Sequence, residues 1–187
     1  MTKAAPRRKP ARKAAARKAP AQDAYADFMA RAYAMELEAV ERYAQFAEQM
    51  ETFNNREVAE LFRKLSQVES LHAKRILEEM NWPSLPALPP AFAWESDEAP
   101  ETAPFDDMHY LMKPFHALEI ALECEKRALA YFEGIAGGRA PQRVLAAARE
   151  MAEEEREHVQ LIESWMTRVP RPDPDWDRDP DPPAITE

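Results

Sequence analysis

Residues 68–76, VESLHAKRI, and residues 153–162, EEEREHVQLI, each place a glutamate three residues ahead of a histidine inside an otherwise amphipathic stretch. On a helix, positions three apart share a face. The apolar spacing around both segments is helical, and it defines four ladders of core positions. The first reads Met29, Tyr33, Glu36, Val40, Tyr43, Ala47, Met50, and the second Val58, Phe62, Leu65, Glu69, His72, Ile76, Met80. The third reads Leu111, Phe115, Leu118, Leu122, Glu125, Leu129, Phe132, Ala136, and the fourth Val144, Ala148, Met151, Glu155, His158, Ile162, Trp165. Each ladder is apolar except near its middle, where four glutamates and two histidines interrupt the pattern.

Around these ladders the chain divides by composition. Residues 1–22 hold eight Lys or Arg, no acid and many Ala and Pro, with no apolar periodicity, and are expected to be a disordered basic tail. Residues 170–187 hold six prolines and six acids and read as an extended, solvated acidic tail. Residues 23–169 form the compact unit. Its first helix runs from near Asp23 to about Glu51, and Asn54 or Asn55 caps the second, which runs to about Met80. Residues 81–106 contain six prolines and read as a long crossover with little regular structure. Asp106 or Asp107 is expected to cap the third helical region, with Pro114 breaking it near its start. The segment GIAGGRAP ends that helix, glycine suiting its C-terminal cap and Pro141 the first turn of the next. The fourth helix reaches about Arg168, stopped by Pro170. Two short connections and one long one predict an all-α four-helix bundle built from two hairpins and a crossover.

Composition excludes several functions. With 45% hydrophobic residues the chain can bury a core, and its single cysteine, Cys124, excludes a disulfide framework, a Cys-rich zinc site or a Cys-ligated cluster within one chain. No apolar run approaches the roughly 20 residues of a membrane span. The basic N-terminus precedes no hydrophobic segment, so a secretory leader is not expected and the cytoplasm is the expected compartment.

The interrupting residues match in axial level. In an antiparallel hairpin, residues equidistant from the turn face one another, and the midpoint of Glu36 and Glu69, 52.5, falls in the first predicted turn. The midpoint of Glu125 and Glu155, 140, falls in the second. Each hairpin therefore sets a lone glutamate against a Glu-x-x-His pair, and stacking the hairpins converges all six. Four carboxylates in a core are tolerable only with compensating charge. Two divalent cations supply it, and an oxygen and imidazole donor set without thiolate suits iron or manganese, with zinc left open. Chance yields about half a Glu-x-x-His match for four histidines in a chain this rich in glutamate, so one match means little. Two matches on core ladders, each with a level-matched partner, mean much more. His109 and His116 lack such support and read as ordinary histidines, Cys124 as a packing residue, and Phe132 as core. Tyr43 fills the core and is also placed to hydrogen-bond a ligand at the centre.

At MELEAVERYAQFA (residues 35–47), VESLHAKRI, ALECEKRALAYFEGIA (residues 121–136) and EEEREHVQLI the chain resembles the rubrerythrin-like branch of the ferritin-like superfamily. The first and third motifs superimpose as an internal repeat, Glu36 on Glu125, Ala39 on Ala128, Tyr43 on Phe132 and Ala47 on Ala136. The resemblance implies a ferritin-like bundle holding two iron ions. Glu69 and Glu155 would bridge them, with Glu36, Glu125, His72 and His158 as terminal ligands. It implies oxidation of a diferrous centre by hydrogen peroxide or dioxygen, in peroxide removal or iron handling. Two features depart from rubrerythrins proper. Ala128 stands where they carry a further glutamate, and there is no Cys-rich rubredoxin module, so an external electron donor is expected. Ser70 stands where bacterioferritins carry a haem methionine. Two alternatives stay open: a di-iron oxygenase of an organic substrate, and a DNA-associated iron-buffering protein acting through the basic tail, for which the bland alternative is a solubilising leader. A homodimer is also left open.

Overall fold

The computed structural model describes residues 23–84, residue 94 and residues 99–179, so the basic tail and its nucleic-acid reading lie outside the described residues. Four helices account for most of them: α1 (Ala24–Thr52), α2 (Arg56–Met80), α3 (Pro114–Ala136) and α4 (Gln142–Met166). No strand occurs among the described residues. The helices pair as two hairpins, α1 with α2 and α3 with α4, each packed more extensively than the hairpins are with one another.

The helix ends follow from local chemistry. Asp23 caps α1 by accepting the Tyr25 N–H at 3.1 Å. Asn54 takes the left-handed conformation, φ 58°, that turns the chain between α1 and α2. Asn55, of the two asparagines, is the α2 cap, accepting the Val58 N–H at 3.4 Å. Its amide also donates to the Met112 carbonyl at 2.8 Å, tying this turn to the approach of α3. Asn81 ends α2 with φ 52°, a conformation asparagine tolerates better than most residues.

The third helix begins later than the sequence suggests. Phe105–Asp107 make one isolated 3₁₀ turn, and α3 starts at Pro114 rather than after Asp106 or Asp107. The reason is steric: the residue before a proline avoids helical angles, and Lys113 is extended at φ -108°, ψ 164°. Proline then serves as the first helical residue, where its missing N–H costs nothing. At the other end Gly137 caps α3 in a right-handed conformation, so no glycine here exploits positive φ. Pro141 stands one position before α4, and α4 ends at Met166 with a turn in which the Arg168 N–H reaches the Trp165 carbonyl at 2.9 Å.

Between α2 and α3 the described residues of the crossover contact α1 and α3. Trp94 donates to Glu38 of α1 at 3.0 Å and packs edge-on to Tyr131 of α3. Residues 100–103 are held by Arg42 of α1 and Arg127 of α3, whose guanidinium groups donate to their carbonyls. Phe105 then covers Phe46 and Arg42. Beyond α4 most of residues 171–179 are exposed, but Trp176 returns to pack on His116, ring centroids 3.8 Å apart.

The core has two halves. One contains Ala39, Tyr43, Phe46, Phe62, Leu65, Leu118, Leu122 and Ile162. The other contains Phe28, Met29, Met35, Ile76, Ala128, Phe132, Ala148 and Ala152. Every helix contributes to both, and on every helix the change of half falls at the glutamate or Glu-x-x-His position. The ladders err in detail: Tyr33, Val40, Leu111, Leu129, Ala136, Met80 and Trp165 are half-buried, while Met35, Ala39 and Phe46 are buried instead.

Phe62 is fully buried between Phe46, at 5.2 Å between centroids, and Tyr43, at 6.0 Å. Phe62→Ala should destabilise the protein by about 3–5 kcal/mol, the usual cost of deleting a buried aromatic ring. Urea denaturation of the two proteins measures it, and an unchanged midpoint would show that this half of the core is not close-packed.

Candidate metal centre

The layer between the two core halves is polar. Glu36, Glu69, Glu125 and Glu155 are only 1–2% exposed, although glutamate is among the residues least often buried. Their arrangement repeats from one hairpin to the other. His72 Nδ1 lies 3.2 Å from Glu69 Oε2 and 3.8 Å from Glu36 Oε2. His158 Nδ1 lies 3.2 Å from both Glu155 Oε2 and Glu125 Oε2. The first contact in each set joins residues three apart on one helix; the second spans the hairpin at matched level. The two imidazoles stack with centroids 4.3 Å apart and planes 4° apart. Each triad, Glu36–Glu69–His72 and Glu125–Glu155–His158, presents donor atoms within 4.8 Å of one another, close enough to share one ion. All six residues singled out from the sequence are thus brought together.

A seventh residue joins them that sequence reasoning missed. Glu101, from the crossover, is 1% exposed and has a carboxylate oxygen within 4.8 Å of oxygens of Glu69 and Glu125. It sits in a proline-rich segment with no periodicity to read, and only its two small apolar neighbours at positions 99 and 103 hint at burial. The neighbouring acids of α3 confirm the helix register by contrast. Glu123 is exposed and paired with Lys126 at 2.8 Å, and Glu119 is exposed.

The electrostatics are those of an uncompensated cluster. Burial, then the nearby Glu155, Glu69 and Glu125 charges, raise Glu36 well above the ordinary carboxylate range. Burial and the repulsion of Glu36, Glu69, Glu155 and Glu125 do the same to Glu101. Glu125 is pushed by burial to about 8, although its hydrogen bond with His158 works the other way. Burial also opposes charge on His158, but its bonds to Glu125 and Glu155 prevail and lift it to about 11. Oxygen Oε2 of Glu36 and both oxygens of Glu101 have no hydrogen-bond partner. Orphaned, closely spaced carboxylate oxygens beside imidazole nitrogens are a donor set that fits divalent metal ions.

The remaining residues fall into place around this layer. Tyr43 is 1% exposed, its hydroxyl without a partner, and its pKa is raised by burial and by the charges of Cys124, Glu125, Glu69 and Glu101. Cys124 is buried, with its thiol pushed by burial to about 11 and its sulfur 3.4 Å from Arg127. It is a packing residue rather than a nucleophile. His109 and His116 stand outside the layer and accept backbone N–H groups, from Leu111 at 3.2 Å and Lys113 at 2.9 Å.

Fold and site together define a four-helix carboxylate–histidine bundle. The rubrerythrin family model matches residues 27–83, a span that includes Glu36, Glu69 and His72. The crystal structure of an uncharacterized conserved protein from Magnetospirillum magnetotacticum MS-1 is 36% identical, with a TM-score of 0.59, covering 79% of this chain and 97% of that one. The chain belongs to the rubrerythrin family, within the ferritin-like fold. Among curated proteins nothing matches it. No helix among the described residues is long and apolar enough to cross a membrane.

The metal-free protein should lose stability as pH rises. Folded Glu125 holds a proton up to about 8, whereas the unfolded chain releases it near 4.5, so across that window the folded state binds more protons. His158 acts in the same direction between 6.5 and about 11. Thermal melts of chelator-treated protein should show a melting temperature falling from mildly acid to alkaline pH; a rise would contradict the shifts.

Proposed function

We propose that Glu36, Glu69, His72, Glu125, Glu155 and His158 hold two iron ions, and that the protein is an oxidoreductase in which this diferrous centre is oxidised by hydrogen peroxide or dioxygen. The observation that carries the reading is the pair of matching triads, each assembled within one hairpin and together filling the only break in the core ladders. When bound, a pair of ferrous ions supplies two electrons to the oxidant. Manganese or zinc would fit the same donors, and of these manganese shares the redox capacity.

The side chains have separable tasks. The carboxylates bring negative charge to a dry layer, where it holds multivalent cations far more strongly than at the surface. Each histidine turns Nδ1 toward the glutamate one turn before it, so Nδ1 is the ring nitrogen that would take the ion. Glu36 and Glu125 hold protons in the metal-free protein, so ion uptake displaces protons from this layer. The Tyr43 hydroxyl, buried without a hydrogen-bond partner, would donate a hydrogen bond to a small molecule at the centre.

Size favours a small oxidant over an organic substrate. The cavity reaching Glu69, Glu125 and His158, walled by Leu65, Leu161 and Trp165, has a volume of about 20 Å³, near that of a single water. The larger cavities, about 390 and 360 Å³, open instead near the start of α3, by Lys113, Val169 and Trp176 and by Leu61, Trp165 and Arg168. Among the described cavities, none of the size of an organic substrate reaches the centre, which supports the small-oxidant reading over the oxygenase. In this reading an external donor, which the resemblance to rubrerythrins implies, supplies the electrons that return the centre to its ferrous state.

Anaerobic titration with Fe(II) should saturate at two ions per chain, and single-turnover mixing should show oxidation by peroxide or dioxygen. Saturation at one ion or none would sink the di-iron reading, and an inert loaded protein would sink the redox reading. The α3 register makes a sharper test. Glu125→Ala should lose one ion or most oxidation, whereas Glu123→Ala, on the exposed face, should bind both ions normally. Metal analysis of the purified variants decides between them, and the reverse result would mean that α3 is rotated by about half a turn.

A further inference from the structure

Glu101 is the one carboxylate of the buried layer that no helix delivers. Its flanking residues show how it gets there. Ala99 packs in one half of the core and Ala103 in the other, so the crossover passes through the same change of level as each helix, and Glu101 falls at that level. The backbone on either side is fixed. Arg127 donates to the carbonyl of Pro100 at 2.7 Å and to that of Thr102 at 3.2 Å, and Arg42 donates to that of Ala103. These arginines hold the main chain of the crossover and are not hydrogen-bonded to the Glu101 carboxylate.

Neither protonation state of Glu101 is satisfied by the protein. A carboxylate needs donors and a carboxylic acid needs both a donor and an acceptor, yet Oε1 and Oε2 are buried with no partner. The nearest polar neighbours are themselves acids: an oxygen of Glu101 lies within 4.8 Å of one oxygen from Glu69, in the first triad, and one from Glu125, in the second. A buried acid surrounded by acids is destabilising unless a cation stands among them.

We propose that Glu101 is a seventh ligand to the metal pair, supplied by the crossover, so that metal loading fastens the crossover to the bundle. This rests on the two-ion reading of the centre. Five carboxylates then face two cations, and the crossover, already packed into the core through Ala99 and Ala103, gains a metal tie between them.

The test compares full-length wild type, Glu101→Gln and Glu101→Met by anaerobic Fe(II) titration and by thermal melting with and without metal. Wild type should take two ions. Both variants should bind one of them at least about tenfold more weakly, since even residues that only support a ligand are worth about 10–100-fold. The sign of the melting shift separates a ligand from a merely structural residue. Metal-free Glu101→Met should melt higher than metal-free wild type, because an unpaired buried acid is gone, and the loaded variant should melt lower than loaded wild type. Hydrogen exchange on wild type alone gives an arm independent of variant folding: amides of residues 99–103 should exchange at least tenfold more slowly once metal is added. Variants that bind two ions with wild-type affinity, or exchange at 99–103 unaltered by metal, would overturn the role of Glu101 while leaving the two-ion centre standing. A wild type that fails to take two ions would overturn that centre and the proposal with it.

Discussion

Mutual repulsion among carboxylates in the middle of an apolar core is the constraint around which this bundle is organised. Glu36, Glu69, Glu101, Glu125 and Glu155 are all 1–2% exposed, and the ion pairs that reach Glu36, Glu69, Glu125 and Glu155 among the described residues come from histidines. Glu101 has no partner at either oxygen. Burying such a group costs several kcal/mol per unpaired charge, against a total stability of about 5–15 kcal/mol for a domain. The apolar halves above and below the layer must therefore carry the metal-free fold, and in the proposed function the layer is kept for the ions it would bind. Function and fold stability are here in tension along a single plane of the molecule.

The convergence of the six helical residues was legible because two regularities coincided on them. A Glu-x-x-His spacing is common by chance, but Glu69–His72 and Glu155–His158 both interrupt apolar ladders at the level of a lone glutamate across a turn. Helical periodicity and hairpin geometry are local rules, and both held: α1, α2 and α4 end within two residues of where capping residues and prolines placed them. The register of α3 was legible for the same reason, with Glu125 inside and Glu123 outside.

What could not be read lies where periodicity stops. Glu101 reaches the layer through a segment whose course is set by Arg42 and Arg127, and nothing in a proline-rich string announces which of its acids turns inward. The start of α3 was misplaced because two aspartates look like caps. The extended geometry that Pro114 imposes on Lys113 outweighed them. In the acidic segment, Trp176 was read with its solvated neighbours, but one indole ring buries enough apolar surface to dock on His116 regardless of them.

The way the triads are distributed has a consequence for symmetry. Each hairpin contributes two glutamates and a histidine from its own two helices, and the repeat of Glu36, Ala39 and Ala47 in Glu125, Ala128 and Ala136 relates one hairpin to the other. The centre is thus an isologous interface of the kind found in two-fold homodimers, drawn onto one chain. Where such symmetry is intact the two halves are chemically equivalent. The crossover occurs once, however, and it brings Glu101 to Glu69 of one half and Glu125 of the other, residues the repeat does not exchange. The linker that joins the halves therefore adds to the inequivalence that Tyr43 opposite Phe132 already introduces. A single polypeptide can so distinguish two positions that a dimer of identical hairpins would be obliged to treat alike.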